Sequence, residues 1–172
     1  MRKHKFYIAA LAAVMLFSLA ACGARTRFKE KSDVVISDTS VHKVELTAEV
    51  TGNRKIRITF DNKGGKEYIY GNPYSLEFFS DGSWYKVPFN EDAGIFTMEG
   101  IVLGPAEEYA KKDQDGVSVS STGSMDVALE GMGELPKGHY RIIKQLSLMN
   151  DEEGYVEETY FLAAEFDLEK AA

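Results

Sequence analysis

Hydrophobic and polar residues alternate with a period of two through most of the chain beyond residue 43. Val44, Leu46, Ala48 and Val50 alternate with Glu45, Thr47 and Glu49, the pattern of a strand with one wet face. Thr51-Gly52-Asn53-Arg54 supplies turn chemistry, and Ile56, Ile58 and Phe60 alternate with Arg57 and Thr59 on the return. Residues 67–70 form a short aromatic stretch closed by Gly71-Asn72-Pro73. Residues 74–79 and 84–89 flank Ser80-Asp81-Gly82-Ser83, the clearest hairpin signal in the chain. Residues 101–103 and 125–129 are weaker strand candidates. Residues 105–112 have two readings: a helical turn or two, because Glu107 with Lys111 and Glu108 with Lys112 are four apart, or an extended strand with a charged edge. The last hairpin sets Tyr140, Ile142, Leu146 and Leu148 on one face and Leu162, Ala164, Phe166 and Leu168 on the return. Short strands at even spacing with almost no helix predict an all-β fold, an antiparallel β-sandwich.

The N-terminus follows a different pattern. Arg2, Lys3 and Lys5 precede an apolar run over residues 6–19, which has the charged and hydrophobic regions of a secretory signal. At about 14 residues it is shorter than the roughly 20 of a transmembrane helix. Leu19-Ala20-Ala21-Cys22-Gly23 follows, and resembles the lipobox of bacterial lipoproteins. That resemblance implies a diacylglyceryl group on Cys22, removal of residues 1–21, and a protein held by lipid on the extracytoplasmic face of the cell membrane. Cys22 is the single cysteine, so a lipidated chain keeps no thiol for a disulfide, a metal or catalysis. Residues 22–43 are polar and without sustained periodicity, apart from Val34-Val35-Ile36, a candidate edge strand. They read as a flexible tether with a span on the order of 25 Å. Residues 44–172 form the folded domain.

Charge divides along the same boundaries. The net charge of −7 over 172 residues resolves into +3 on residues 1–21, +2 on residues 22–43 and −12 on residues 44–172. A domain that acidic disfavours nucleic acid as a partner. Arg25, Arg27, Lys29 and Lys31 lie where anionic head groups would attract them, or serve only to solvate the linker.

Two blocks of the domain carry a family likeness. Residues 74–88, with Tyr74-Ser75-Leu76-Glu77 and Asp81-Gly82-Ser83-Trp84-Tyr85-Lys86-Val87-Pro88, and residues 135–144, with Gly138-His139-Tyr140-Arg141-Ile142, resemble the bacterial immunoglobulin-like domains found in lipoproteins of Gram-positive bacteria. Ala164-Glu165-Phe166-Asp167-Leu168 is similar to the closing strand of that family. The resemblance implies an immunoglobulin-like sandwich. Leu103-Gly104-Pro105-Ala106-Glu107 departs from the family's Leu-x-Pro-Gly-Glu turn. The sequence Leu135, turn residue Gly138, then Tyr140 at a strand start predicts a tyrosine corner, with the phenol bonded to backbone upstream. Trp84 is expected in the sandwich core, and Phe79 and Tyr85 are candidates for an exposed binding surface.

The search for chemistry is mostly negative. His42 and His139 are the histidines beyond the leader, one in the tether and one in an expected turn, which leaves little material for a His-based triad. The chain holds no G-x-S-x-G elbow and no phosphate loop, and no cofactor motif. Asp113-Gln114-Asp115-Gly116 begins like a calcium loop without its closing glutamate, and Asp151-Glu152-Glu153 is a loop charge cluster, so no metal site is assigned. These features predict a noncatalytic, membrane-anchored binding module for a protein or cell-wall component. Alternatives are a protease inhibitor using the loop over residues 109–124, and a carboxylate-dependent hydrolase of wall glycans.

Overall fold

A computed structural model of the chain describes residues 27–90, 96–97, 99–110, 118–149 and 156–171. The leader, Cys22, the loop at Asp113 and Asp115 and the cluster at Asp151 lie outside the described residues.

The chain is built from strands β1 (Val44–Gly52), β2 (Lys55–Asn62), β3 (Tyr68–Gly71), β4 (Ser75–Ser80), β5 (Ser83–Val87), β6 (Gly100–Leu103), β7 (Thr122–Ala128), β8 (Gly138–Met149) and β9 (Val156–Leu168). β1, β2 and β7 make a three-stranded antiparallel sheet in that order. In the six-stranded sheet β8 is central, paired along one side with β9 and on the other first with β4 and then with β3. β5 lies outside β4, and β6 outside β3. The weaker candidates at 101–103 and 125–129 are thus β6 and part of β7. Of residues 105–112, the described ones, 105–110, contain one turn of 3-10 helix, Glu107–Tyr109.

The core follows from alternation. Ile56, Ile58 and Phe60 of β2, Leu76 and Phe78 of β4, Tyr140, Ile142, Leu146 and Leu148 of β8, and Leu162, Ala164, Phe166 and Leu168 of β9 are all buried. Lys144 is an even-numbered residue of β8, so the same alternation carries it inside, where it is fully buried. Its Nζ donates to the carbonyls of Gly71, Asn72 and Pro73, satisfying the ammonium and fixing the break after β3. Burial pulls its pKa down to about 8.

Residues 27–37 are not the free tether expected of them. Phe28 is buried, with its ring 5.5 Å from that of Phe78. The Lys86 N–H donates to the Glu30 carbonyl at 2.8 Å, the Ser32 N–H to Trp84 at 2.9 Å, and the Ser37 N–H to Phe161 at 2.8 Å. From β5 to β9 there are three inter-strand gaps, about 14 Å, and five extended residues span about 17 Å. The segment therefore crosses the outer face of the larger sheet as a strap. Val34-Val35-Ile36 forms no strand because it runs across its neighbours rather than beside one. Thr39–His42 then makes a helical turn capped by the Asp38 carboxylate, which accepts from the Ser40 N–H at 2.8 Å.

Tyr140 lies at the foot of β8. Its hydroxyl donates to the Pro136 carbonyl at 2.5 Å, and its ring packs between Phe78 and Phe166. Gly138 is required there by close approach, since a Cβ would lie 2.5 Å from the Phe78 ring. Tyr140→Phe leaves the Pro136 carbonyl without this donor. We expect a loss of about 1–2 kcal/mol in urea unfolding, and unchanged stability would remove the corner from the account.

Candidate functional site

The site begins with a turn. Asp81 and Gly82 have φ of 49° and 71°, the left-handed backbone of a two-residue hairpin turn. Ser80 therefore faces Ser83, Phe79 faces Trp84, and Phe78 faces Tyr85. Because Leu76 and Phe78 point inward, so do their partners Val87 and Tyr85. Trp84 is left on the outer face beside Phe79. This corrects two expectations: Trp84 is not the core tryptophan, and Tyr85 is not a surface ring. Tyr85 packs against the core, with Lys31 Nζ 5.9 Å from its ring centre.

On that outer face β4, β5 and β8 bring four side chains together. The Phe79 ring centre lies 5.0 Å from Trp84, and His139 lies 5.6 Å from Trp84 and 6.1 Å from Phe79. The Arg141 guanidinium sits 4.5 Å from the Trp84 ring centre, a cation–π contact. Phe79 is 40% exposed. His139 is on β8 rather than in a turn, and it faces outward because Tyr140 faces in. The sequence signal for this grouping was the two-residue turn together with alternation on β8.

Beneath Trp84 lies a buried ion pair. Arg141 Nε donates to Glu77 Oε2 at 2.7 Å, and Nη2 lies 2.6 Å from the same oxygen. Glu77 is 1% exposed although its position faces outward, as is expected under the strap, whose Ser32 hydroxyl lies 3.5 Å from Arg141. A buried pair of this kind contributes little net stability, but removing one partner costs about 3–5 kcal/mol. It therefore holds Arg141, and through it Trp84, in one place.

His139 is bracketed by carboxylates. Nδ1 lies 2.8 Å from Asp167 and Nε2 2.8 Å from Glu165. The hydrogen bond to Asp167, then that to Glu165, raises the imidazole pKa above its usual 6.5. With both ring nitrogens held by carboxylates, the charged form of the imidazole is favoured, and the ring is not placed to take a proton from a nucleophile. His42 lies elsewhere, its ring centre 3.7 Å from that of Tyr160. Among the described residues no group of three or more His, Cys, Asp or Glu side chains is arranged to hold a metal ion. The arrangement supports contact recognition by an aromatic pair flanked by fixed charges of both signs.

Residues 39–167 match the family described as a bacterial Ig-like domain. No curated protein matches the chain. Among solved structures, a protein of Archaeoglobus fulgidus is similar over 73% of this chain and 94% of its own, with 11% identity and a TM-score of 0.28. A likeness that weak carries no argument about fold or function.

The bracketed histidine gives the site a pH dependence. Its folded pKa exceeds the unfolded value near 6.5, so its stabilisation is complete below that pH and is lost as pH rises through the folded pKa. An NMR titration of the His139 ring should give a midpoint above 6.5 that falls in Asp167→Asn. A midpoint at or below 6.5 would contradict the geometry.

Proposed function

The chain belongs to the bacterial Ig-like domain family, and we propose that it is a noncatalytic, membrane-anchored extracytoplasmic lipoprotein whose domain binds a component of the cell envelope. The observation that carries the binding role is the outer-face cluster of Phe79, Trp84, His139 and Arg141. Its rings are partly exposed, and its charged members are fixed by Glu77, Asp167 and Glu165. Aromatic and arginine side chains held rigid at a surface are the residues that most often dominate recognition energetics.

Anchoring rests on the lipobox-like Leu19-Ala20-Ala21-Cys22. A lipid on Cys22 would supply the attachment; no helix among the described residues is long and apolar enough to cross a membrane. The strap changes the expected reach. Arg27 is paired with Glu134 at 2.7 Å, and Cys22 precedes it by five residues, which extend to about 17 Å at most. The domain would then sit within about 17 Å of the lipid surface, measured from Arg27.

Cross-linking in intact cells tests both parts. The wild-type chain should give discrete adducts in the membrane fraction. The double variant Phe79→Ser with Trp84→Ser should lose those adducts while staying in that fraction and keeping its circular dichroism. Cys22→Ser should leave the membrane fraction. Adducts unchanged by the double variant would sink the binding role, and retention of Cys22→Ser would sink the anchor.

A further inference from the structure

A second surface lies on the opposite sheet, along β7. This strand ends the three-stranded sheet, and among the described residues no strand pairs with its outer side. Which backbone groups face that side follows from the hydrogen bonds at its ends. The Leu129 N–H donates to the Arg54 carbonyl at 2.8 Å, and the Ser121 carbonyl accepts from the Asn62 N–H at 2.9 Å. Odd-numbered residues thus turn toward β2, and the backbone of Thr122, Ser124, Asp126 and Ala128 turns away from it. The two end positions are satisfied within the chain. Ser120 Oγ donates to the Thr122 carbonyl at 2.8 Å and accepts from its N–H at 3.2 Å, and the Tyr74 hydroxyl donates to the Ala128 carbonyl at 2.6 Å. Between these stops, Ser124 and Asp126 direct both N–H and C=O to the open edge, two residues apart, as a pairing strand requires.

A cavity of about 330 Å³ adjoins this edge, lined in part by Tyr74, Phe89, Phe96, Met125, Asp126 and Glu130. The Phe96 ring centre is 5.1 Å from both Tyr74 and Phe89. The volume is at the low end for small-ligand pockets and ample for one apolar side chain. Two of its sides are pinned within the chain: buried Lys144 clamps the carbonyls of residues 71–73, and the Asn90 N–H donates to the Gly131 carbonyl at 2.7 Å. The rim is acidic. Asp126 is paired with Arg57 at 2.8 Å, but Glu130 is exposed at the mouth, and Glu99 lies beside Asn72.

We propose that the edge of β7 receives an extended peptide segment as an added strand, with one apolar side chain in the aromatic cavity and a basic residue against Glu130. Main-chain pairing to Ser124 and Asp126 would supply affinity, the cavity and the acidic rim selectivity. The site depends on neither the outer-face cluster nor the lipid, so its failure and the failure of the preceding proposal are separable.

The test is an NMR titration of the full chain with acetylated, amidated pentapeptides: Arg-Val-Leu-Val-Arg, Arg-Val-Phe-Val-Arg, the Glu-flanked counterparts, and versions N-methylated at alternate amides. At least one Arg-flanked peptide should bind with a Kd on the order of 1 mM or tighter. It should shift the amides of Ser124 and Asp126, and it should weaken about tenfold or more on N-methylation. Ser124→Pro removes an outward N–H that no ladder bond uses and should abolish binding. Glu130→Lys, a surface change that leaves β7 intact, should reverse the preference between Arg- and Glu-flanked peptides. Absence of binding by both Arg-flanked peptides, indifference to N-methylation, or shifts confined to Phe79 and Trp84 would overturn the proposal.

Discussion

β8 is bonded to β9 from Gly138 to Met149 and shared on its other side between β4 and β3, so its register is constrained from both directions at once. A slip of one residue would expose Tyr140, Ile142, Leu146 and Leu148 and drive His139 and Arg141 into the core. Tyr140 pins the foot of the strand through Pro136, and Lys144 pins its middle through the carbonyls of residues 71–73. From that register the rest is determined in order. Phe78 meets Tyr140 inside, Glu77 meets Arg141 outside, and the two-residue turn at Asp81 and Gly82 then sets Trp84 over Arg141.

The strap acts on the same face. An outer sheet surface normally faces water, but here Glu77 and Ile143, both outward positions, are buried. A carboxylate in that setting is tolerable because the Arg141 guanidinium is paired with its Oε2, although Oε1 has no hydrogen-bond partner. The part of the face still open at Phe79, Trp84 and His139 is a surface whose members are each held by a second contact, which reduces the ordering cost of binding. The segment that links the domain to Cys22 in sequence is therefore also the segment that shapes this surface.

Much of the fold was legible from alternation and turn chemistry, because an antiparallel sheet with one face buried writes its period directly into the sequence. The hairpins at residues 44–60, 74–89 and 140–168 and the corner at Tyr140 all follow that rule. Trp84 departs from the core position expected of it, and the length of the turn already puts it opposite Phe79. Lys144 was passed over because a charged side chain breaks an apolar pattern, and only three converging carbonyls make its burial affordable. The strap left no periodic trace, since a segment that crosses strands alternates with none of them. Phe28 is its one buried apolar residue. The groove beside β7 was illegible for a related reason: Tyr74, Phe89, Phe96 and Met125 come from three separate stretches of chain, joined only by how the two sheets meet.

Residues 27–37 belong to the folded domain and, with the register of β8, define its outer face. Hydrogen–deuterium exchange on the full chain reads this directly at the amides of Ser32 and Ser37, which donate to Trp84 and Phe161. Exchange there should be slowed about 100-fold or more relative to an unstructured chain, with protection comparable to that of β5. Exchange at the unstructured rate while the amides of β8 stay protected would contradict it.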